Sequence, residues 1–291
     1  MGKIYIHQIY YDDASRAGLD SGFIPLDNSS NERPDWFEYH PIRKFLLNHN
    51  LEHDAYYGFF SPSFGSKTNL SSAKVINFIR ANEWADVVLF CPYFTESALF
   101  INVFEQGERS HPGLTQISQE FIDALGINVS LNALVTDSTN TVFANYFVAR
   151  SEFWKKWFDV AEQLYKRAEE AWGSKAASGL ISDTRHQNSQ TKTPQRIQHK
   201  VFLMERLATL LLSTSDAYKV ASYDSLDLPI YKVHFPVVRH AIACDALKIA
   251  YRRLKNGKYL DEFNAVRANA FDIERAEMVR IVGSSGLEKS S

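Results

Sequence analysis

Short apolar runs and amphipathic stretches take turns along the first 160 residues. KIYIHQIYY (3–11) concentrates β-branched and aromatic side chains and predicts a buried first strand. DAYYGFFS (54–61) and ADVVLFCPYF (85–94) predict two more strands, the last closed by Pro92. Between them, NLSSAKVINFIRAN (69–82) sets Val75, Ile76 and Ile79 on one helical face. WFEYHPIRKFLLNH (36–49) predicts a helix with Asp35 as its N-cap and Pro41 as a turn or restart. Strand, helix, strand, helix, strand is the order of an α/β sheet covered on both faces.

The polar stretch 12–35 has Gly and Pro breaks and no period, so it predicts a long loop of the binding kind. Helical patterns follow at 96–109 and 114–125, separated by the stop signal SHPG. NTVFANYFVAR (140–150) predicts a strand running into the aromatic helix 151–172. Residues 173–195 turn to Ser, Thr, Gln, Asn, Lys and Gly, the composition of a mobile active-site flap. A helix at 199–212, a short strand at 218–224 and a helical C-terminal part complete the order. One catalytic domain over 1–234 is expected, with a helical extension at 235–282 and a disordered tail at 283–291.

HKVFLMERLATLLL (199–212) holds an adjacent acid and base, Glu205 and Arg206, inside an apolar run. At 100° per residue, Glu205, Arg206, Thr209 and Ser213 share one sector, which predicts a narrow solvent-facing stripe on a buried helix. A working carboxylate at Glu205 is the competing reading, and both stay open on the residues alone. Arg206 reads as a structural partner or a phosphate contact. Asp137, in VTDSTNT, is a loop or cap residue or else a second candidate base. Asn145 is a polar group in an apolar strand and needs a partner. His7 suits a hydrogen-bonded core position, and its neighbour Gln8 must face the opposite side of the strand. His111, in SHPG, suits turn chemistry or a phosphate contact.

A net charge of −2 lacks the basic surplus of a nucleic-acid binder, so no nucleic-acid partner is expected. The two cysteines, Cys91 and Cys244, cannot form a bridged scaffold and suit a reducing compartment. The apolar start meets acid at Asp12, too early for a signal or a membrane span, and Ile6 stands where myristoylation wants Ser or Thr. A cytoplasmic protein is expected. No zinc-type spacing, P-loop, dinucleotide glycine motif or nucleophile elbow occurs.

The order of an IHQIY strand, NVFEQGERSHPG (102–113), NTVFANYFVAR with its aromatic helix, and FLMERLATLLL resembles the GT-A-type nucleotide-sugar glycosyltransferases of bacterial capsule and lipopolysaccharide clusters. The resemblance spans roughly residues 3–224. It implies a GT-A-like (Rossmann-like) central mixed sheet and a sugar transfer from a nucleotide donor to a saccharide or lipid-linked acceptor. His7, Gln8 and the loop 22–28 with Asp27 and Asn28 would lie near the nucleotide. Arg109 and Arg206 would serve the donor, and Asn145 and His111 the acceptor. Glu205 would be the base of an inverting transfer, since a sugar hydroxyl is a weak nucleophile.

Such enzymes usually hold Mn or Mg with an Asp-x-Asp, and this chain has none. Either Arg109 or Lys67 neutralises the departing diphosphate, or Glu105 and Glu108 serve as unconventional ligands. The resemblance also implies a peripheral position at the inner membrane among polysaccharide-assembly partners. The rival expectation is a non-catalytic sugar- or nucleotide-binding module of such an assembly.

Overall fold

Alternation of large apolar side chains lets each central strand feed two cores at once. In the computed structural model, which describes residues 2–171, 179–181, 183–187 and 194–287, β1 (Ile4–Tyr10) sends Ile9 to one face and Ile6 to the other. After α1 (Asp13–Ala17), β2 (Ile24–Asp27) pairs parallel to β1. The stretch expected to be loop thus carries an edge strand. Its residues are mostly exposed, and its short apolar run FIPL is interrupted by Pro25, which strands tolerate only at an edge. α2 (Tyr39–Asn48) begins four residues after Asp35 and takes Pro41 within its first turn, where no amide partner is lost. Asp35 is not its cap. The carboxylate binds Arg33 at 2.9 Å and the buried Lys200 at 2.6 Å.

β3 (Tyr56–Phe60), α3 (Phe64–Thr68), α4 (Ser72–Ala81) and β4 (Val87–Leu89) follow in the expected order. Then come α5 (Phe94–Leu99), α6 (Val103–Ser110) and α7 (Leu114–Ala124). β5 (Phe147–Arg150) is shorter than the predicted strand because 140–146 turn rather than extend. α8 (Ser151–Ala171) buries Phe153, Trp154 and Trp157.

Most of the flap expected at 173–195 lies outside the described residues. Its described parts include β6 (Asp183–Gln187), which pairs antiparallel with β7 (Pro194–Gln198). The helix predicted at 199–212 is two helices, α9 (His199–Met204) and α10 (Leu207–Thr214), broken at Glu205–Arg206. β8 (Val220–Ser222), α11 (Val238–Leu254) and α12 (Lys258–Leu287) end the described chain. α12 continues as helix through 283–287, part of the expected disordered tail. Extending a nucleated helix fixes one residue per added hydrogen bond. Residues 288–291 lie outside the description.

The six strands order as β2-β1-β3-β5-β4-β8, with β5 antiparallel to both neighbours and the other pairings parallel. One core lies between the sheet and α2, α7, α8, α9 and α10, and a second between the sheet and α4. A third joins α5 to α11 and α12 through Phe94, Leu99, Ala241 and Phe263. The chain is therefore α/β, with a mixed sheet covered on both faces and a helical C-terminal part. Cys91 and Cys244 are both free and buried. Among the described residues, no helix is long and apolar enough to cross a membrane.

Candidate functional site

The reversed direction of β5 decides where its start lies. Phe147 pairs with Leu89 and the Phe90 amide donates to the Tyr146 carbonyl at 2.9 Å. The amino end of β5 therefore meets the carboxyl ends of β1, β3 and β4, the edge at which open α/β sheets bind ligands. Residues just past those strand ends line it: Tyr11 after β1, Ser61 after β3 and Tyr93 after β4. Tyr146 comes from the opposite direction.

These side chains form one interacting group. The Tyr146 hydroxyl lies 2.6 Å from Ser61 Oγ, and Lys67 Nζ sits 5.8 Å from the Tyr146 ring centre. The Tyr11 hydroxyl donates to Glu38 Oε1 at 3.4 Å. Tyr93 stacks on Tyr231 with ring centres 5.8 Å apart and packs edge-on against Phe143 at 5.9 Å.

Glu205 completes the group from the α9–α10 break. Burial pushes the Tyr146 phenol above its ordinary range, and the charges of Glu38 and Glu205 push it further. Glu205 is raised in turn, first by burial and then by Glu38, against the opposing pull of Arg206 and Lys67. Desolvation thus favours the protonated form of Glu205 more than in an exposed carboxyl.

The backbone around the edge is strained. Phe37, Tyr93, Ala144 and Asn145 hold φ of 47°, 71°, 54° and 55°, a region that costs a side-chain-bearing residue on the order of 1 kcal/mol or more. Asn145 is buried and its Oδ1 has no hydrogen-bond partner among the described residues. Such orphaned groups are uncommon in interiors and call for an explanation.

The break that frees Glu205 depends on its neighbour. Arg206 is buried, with Nε donating to the Val103 carbonyl at 2.9 Å and Nη1 to the Phe202 carbonyl at 2.7 Å. Nη2 reaches Gln106 Oε1 at 3.2 Å. A Cβ at Gly107 would come within 2.5 Å of this guanidinium, so the glycine keeps the slot open. Burial lowers the Arg206 pKa to about 10. Thr209 is also buried, accepting from the Val142 amide at 2.8 Å. The stripe expected to face solvent instead faces protein.

The other sequence-predicted residues divide by location. Asp27 and Asn28 lie at the same sheet edge, at the end of β2. The Ser29 amide caps Asp27 at 2.8 Å, and the Asn28 amide donates to the Tyr10 carbonyl at 2.9 Å. Gln8 braces the edge from beneath, accepting from the Asp20 amide at 3.0 Å and donating to the Ser61 carbonyl at 3.4 Å.

His7 faces the other way, between Phe45 and Phe59, where burial lowers its pKa to about 4. Asp137 is buried, its carboxylate held by Thr139 and, at 2.6 Å, by Arg252. His111 stacks on Phe202 at 3.5 Å. Arg109 lies 3.5 Å from Glu274 of α12, against Phe100 and Phe271.

Tyr11, Glu38, Tyr93 and Tyr231 were not marked by the sequence reading. Their signal was available for two of them, since Tyr11 and Tyr93 directly follow apolar strand runs.

The residues the sequence offered for a divalent cation are engaged elsewhere. β4 leads into Cys91, whose thiol is pushed up to about 12 by burial. Glu105 is engaged by the Ile101 amide at 2.6 Å and Arg267 at 2.9 Å. Glu108 accepts from the Gly113 and Thr115 amides at 2.6 and 2.8 Å. Among the described residues, no cluster of three or more His, Cys, Asp or Glu is arranged to hold a metal ion.

Compared with known proteins, the chain matches no family model, no curated protein and no solved structure.

Proposed function

We propose that the protein is a glycosyltransferase of GT-A-like architecture, moving a sugar from a nucleotide-sugar donor to an acceptor hydroxyl. The observation that carries this reading is Glu205, a carboxyl raised by burial and grouped with Tyr146, Glu38 and Lys67 at the carboxyl edge of the sheet. The strand order, with one reversed strand between parallel ones, also supports it.

In the proposed reaction Glu205 accepts the proton of the acceptor hydroxyl. The acceptor oxygen bonds to the anomeric carbon as the bond from that carbon to the diphosphate oxygen breaks. The diphosphate leaves with the electron pair, and Lys67 is the cation placed to offset that charge. Tyr11, Tyr93 and Tyr231 supply ring faces for base or sugar stacking. Asn145 Oδ1 is an acceptor awaiting a donor, in keeping with a role toward the acceptor saccharide. No step is routed through a metal ion.

The test is a thermal-shift panel of UDP-, GDP-, CMP- and dTDP-sugars, with and without Mn²⁺. The matching donor raises the melting temperature by mass action. No shift with any donor overturns the proposal. A shift from a donor that is never transferred or hydrolysed leaves the non-catalytic binding module in its place.

A further inference from the structure

Charge in this chain is unevenly distributed. Residues 228–260 hold seven Lys and Arg against one acid, Asp245, in a chain of net charge −2. Lys248 is buried and Arg252 pairs with Asp137, while Lys232, Arg239, Arg253, Lys255 and Lys258 are exposed. Asp245 is buried and bound by Ser138 at 2.8 and 2.6 Å, so it offers no charge to the outside. The carboxylates of Glu96 and Glu274 beside this segment are held by His234 at 3.2 and 3.3 Å.

The same segment shows the most apolar surface. Of the eleven large hydrophobic side chains most exposed among the described residues, Tyr231, Val233, Phe235, Ile242 and Leu254 belong to it, at 44–59% exposure. On α11, Arg239, Ile242, Ala246, Ile249 and Arg253 fall within an arc of about 80° at 100° per residue. All but the half-buried Ile249 are exposed. The stripe is apolar at its centre and cationic at both ends. The 3-10 segment Lys232–Val237 continues it with Lys232, Val233 and Phe235.

We infer that this face, from Tyr231 to Arg253, docks the protein on an anionic lipid bilayer. Protruding apolar and aromatic side chains ringed by Lys and Arg match the boundary between acyl chains and acidic headgroups, where both can be satisfied together. Tyr231 belongs to both regions, since it stacks on Tyr93 at the candidate site. A bilayer seated on this face therefore brings lipid headgroups to the mouth of that site. Under the proposed function, this makes the acceptor lipid-linked.

The test is flotation of the full chain with vesicles of phosphatidylcholine alone and of phosphatidylcholine with about a third phosphatidylglycerol. The expected result is binding to the anionic vesicles only, weakened by added salt. One double variant, Phe235→Ser with Ile242→Ser, and another, Lys232→Glu with Arg239→Glu, should each lower the partition coefficient about ten-fold or more. Both should keep the parent melting temperature, because the altered side chains are exposed. Equal binding by parent and variants, or none to anionic vesicles, overturns the inference. So does a dimer by light scattering that Phe235→Ser with Ile242→Ser converts to monomer without vesicles present. Flotation needs no sugar donor, and the donor panel needs no lipid, so either reading can fail without the other.

Discussion

Ser61 and Tyr146, 85 positions apart in the chain, share a 2.6 Å hydrogen bond between the end of β3 and the start of β5. Lys67 sits over the ring of the same tyrosine, and the charges of Glu38 and Glu205 act on its phenol. Tyr146→Phe removes one hydroxyl and should cost about 1 kcal/mol of stability, read from urea unfolding. If the phenol orders the site, transfer should fall by more than this loss of folded protein accounts for.

Glu205→Gln should abolish transfer, lowering kcat by about 10²–10⁴-fold, while the donor thermal shift persists. The fold itself should gain at neutral pH. Burial raises the folded carboxyl above its unfolded value, so ionisation destabilises the native state as pH rises through that interval. The variant removes that penalty. Its melting temperature should match the parent at acid pH and exceed it above the interval. A lower melting temperature at neutral pH would count Glu205 as a structural group.

Lys67→Met and Arg109→Met separate the two cations considered for the diphosphate. Lys67 lies over Tyr146, whereas Arg109 is engaged by Glu274, Phe100 and Phe271. Lys67→Met should weaken donor affinity about ten-fold or more by titration calorimetry, and Arg109→Met should leave it within about two-fold. The reverse outcome would move the donor site to the α5–α6–α12 side.

Arg206→Met should destabilise the protein by about 3 kcal/mol or more, since two buried carbonyls and the half-buried Gln106 side chain lose their donor. Gly107→Ala should act in the same direction by crowding that guanidinium. Chemical unfolding measures both. A neutral outcome for Arg206→Met would mean the α9–α10 break holds without it.

His234 carries a pH signature. Hydrogen bonds from its ring to Glu274 and Glu96 raise its pKa from the ordinary 6.5 to about 9. Stability from this group is full below the unfolded value and is lost as pH rises through about 9. It amounts to on the order of 2–3 kcal/mol. Parent and His234→Gln melting curves taken from pH 6 to 10 should start apart and converge above pH 9. Curves that run parallel throughout would deny the coupling.

The core strands were legible because buried strands need uninterrupted apolar side chains, as at Ile4–Tyr10 and Tyr56–Phe60. β2 was not, because an exposed edge strand needs hydrogen bonds but little apolar surface. Helical periodicity put Glu205, Arg206 and Thr209 in one sector of a continuous helix, but the helix breaks at Glu205–Arg206 and periodicity could not say what these side chains meet. Two of the three are buried against 102–106 and 142, segments about 65–100 positions away. His7 and Asp137 were equally ambiguous, since a buried hydrogen-bonding group and a ligand-facing one share the same residue types. Glu38 gave no local signal at all, and Lys67 was marked only as one of two cations for the diphosphate. Their importance comes from turns that carry them over the sheet edge.

The reversal of β5 has a kinetic consequence. Because it draws residue 146 beside residues 11, 38, 61 and 67, and the α9–α10 break adds residue 205, each contact of residue 146 or 205 with the others closes a long stretch of chain. Loop closure of that length is rewarded only after the sheet has assembled, so the site should be among the last parts to form in folding. Donor binding would then report complete folding rather than partial collapse.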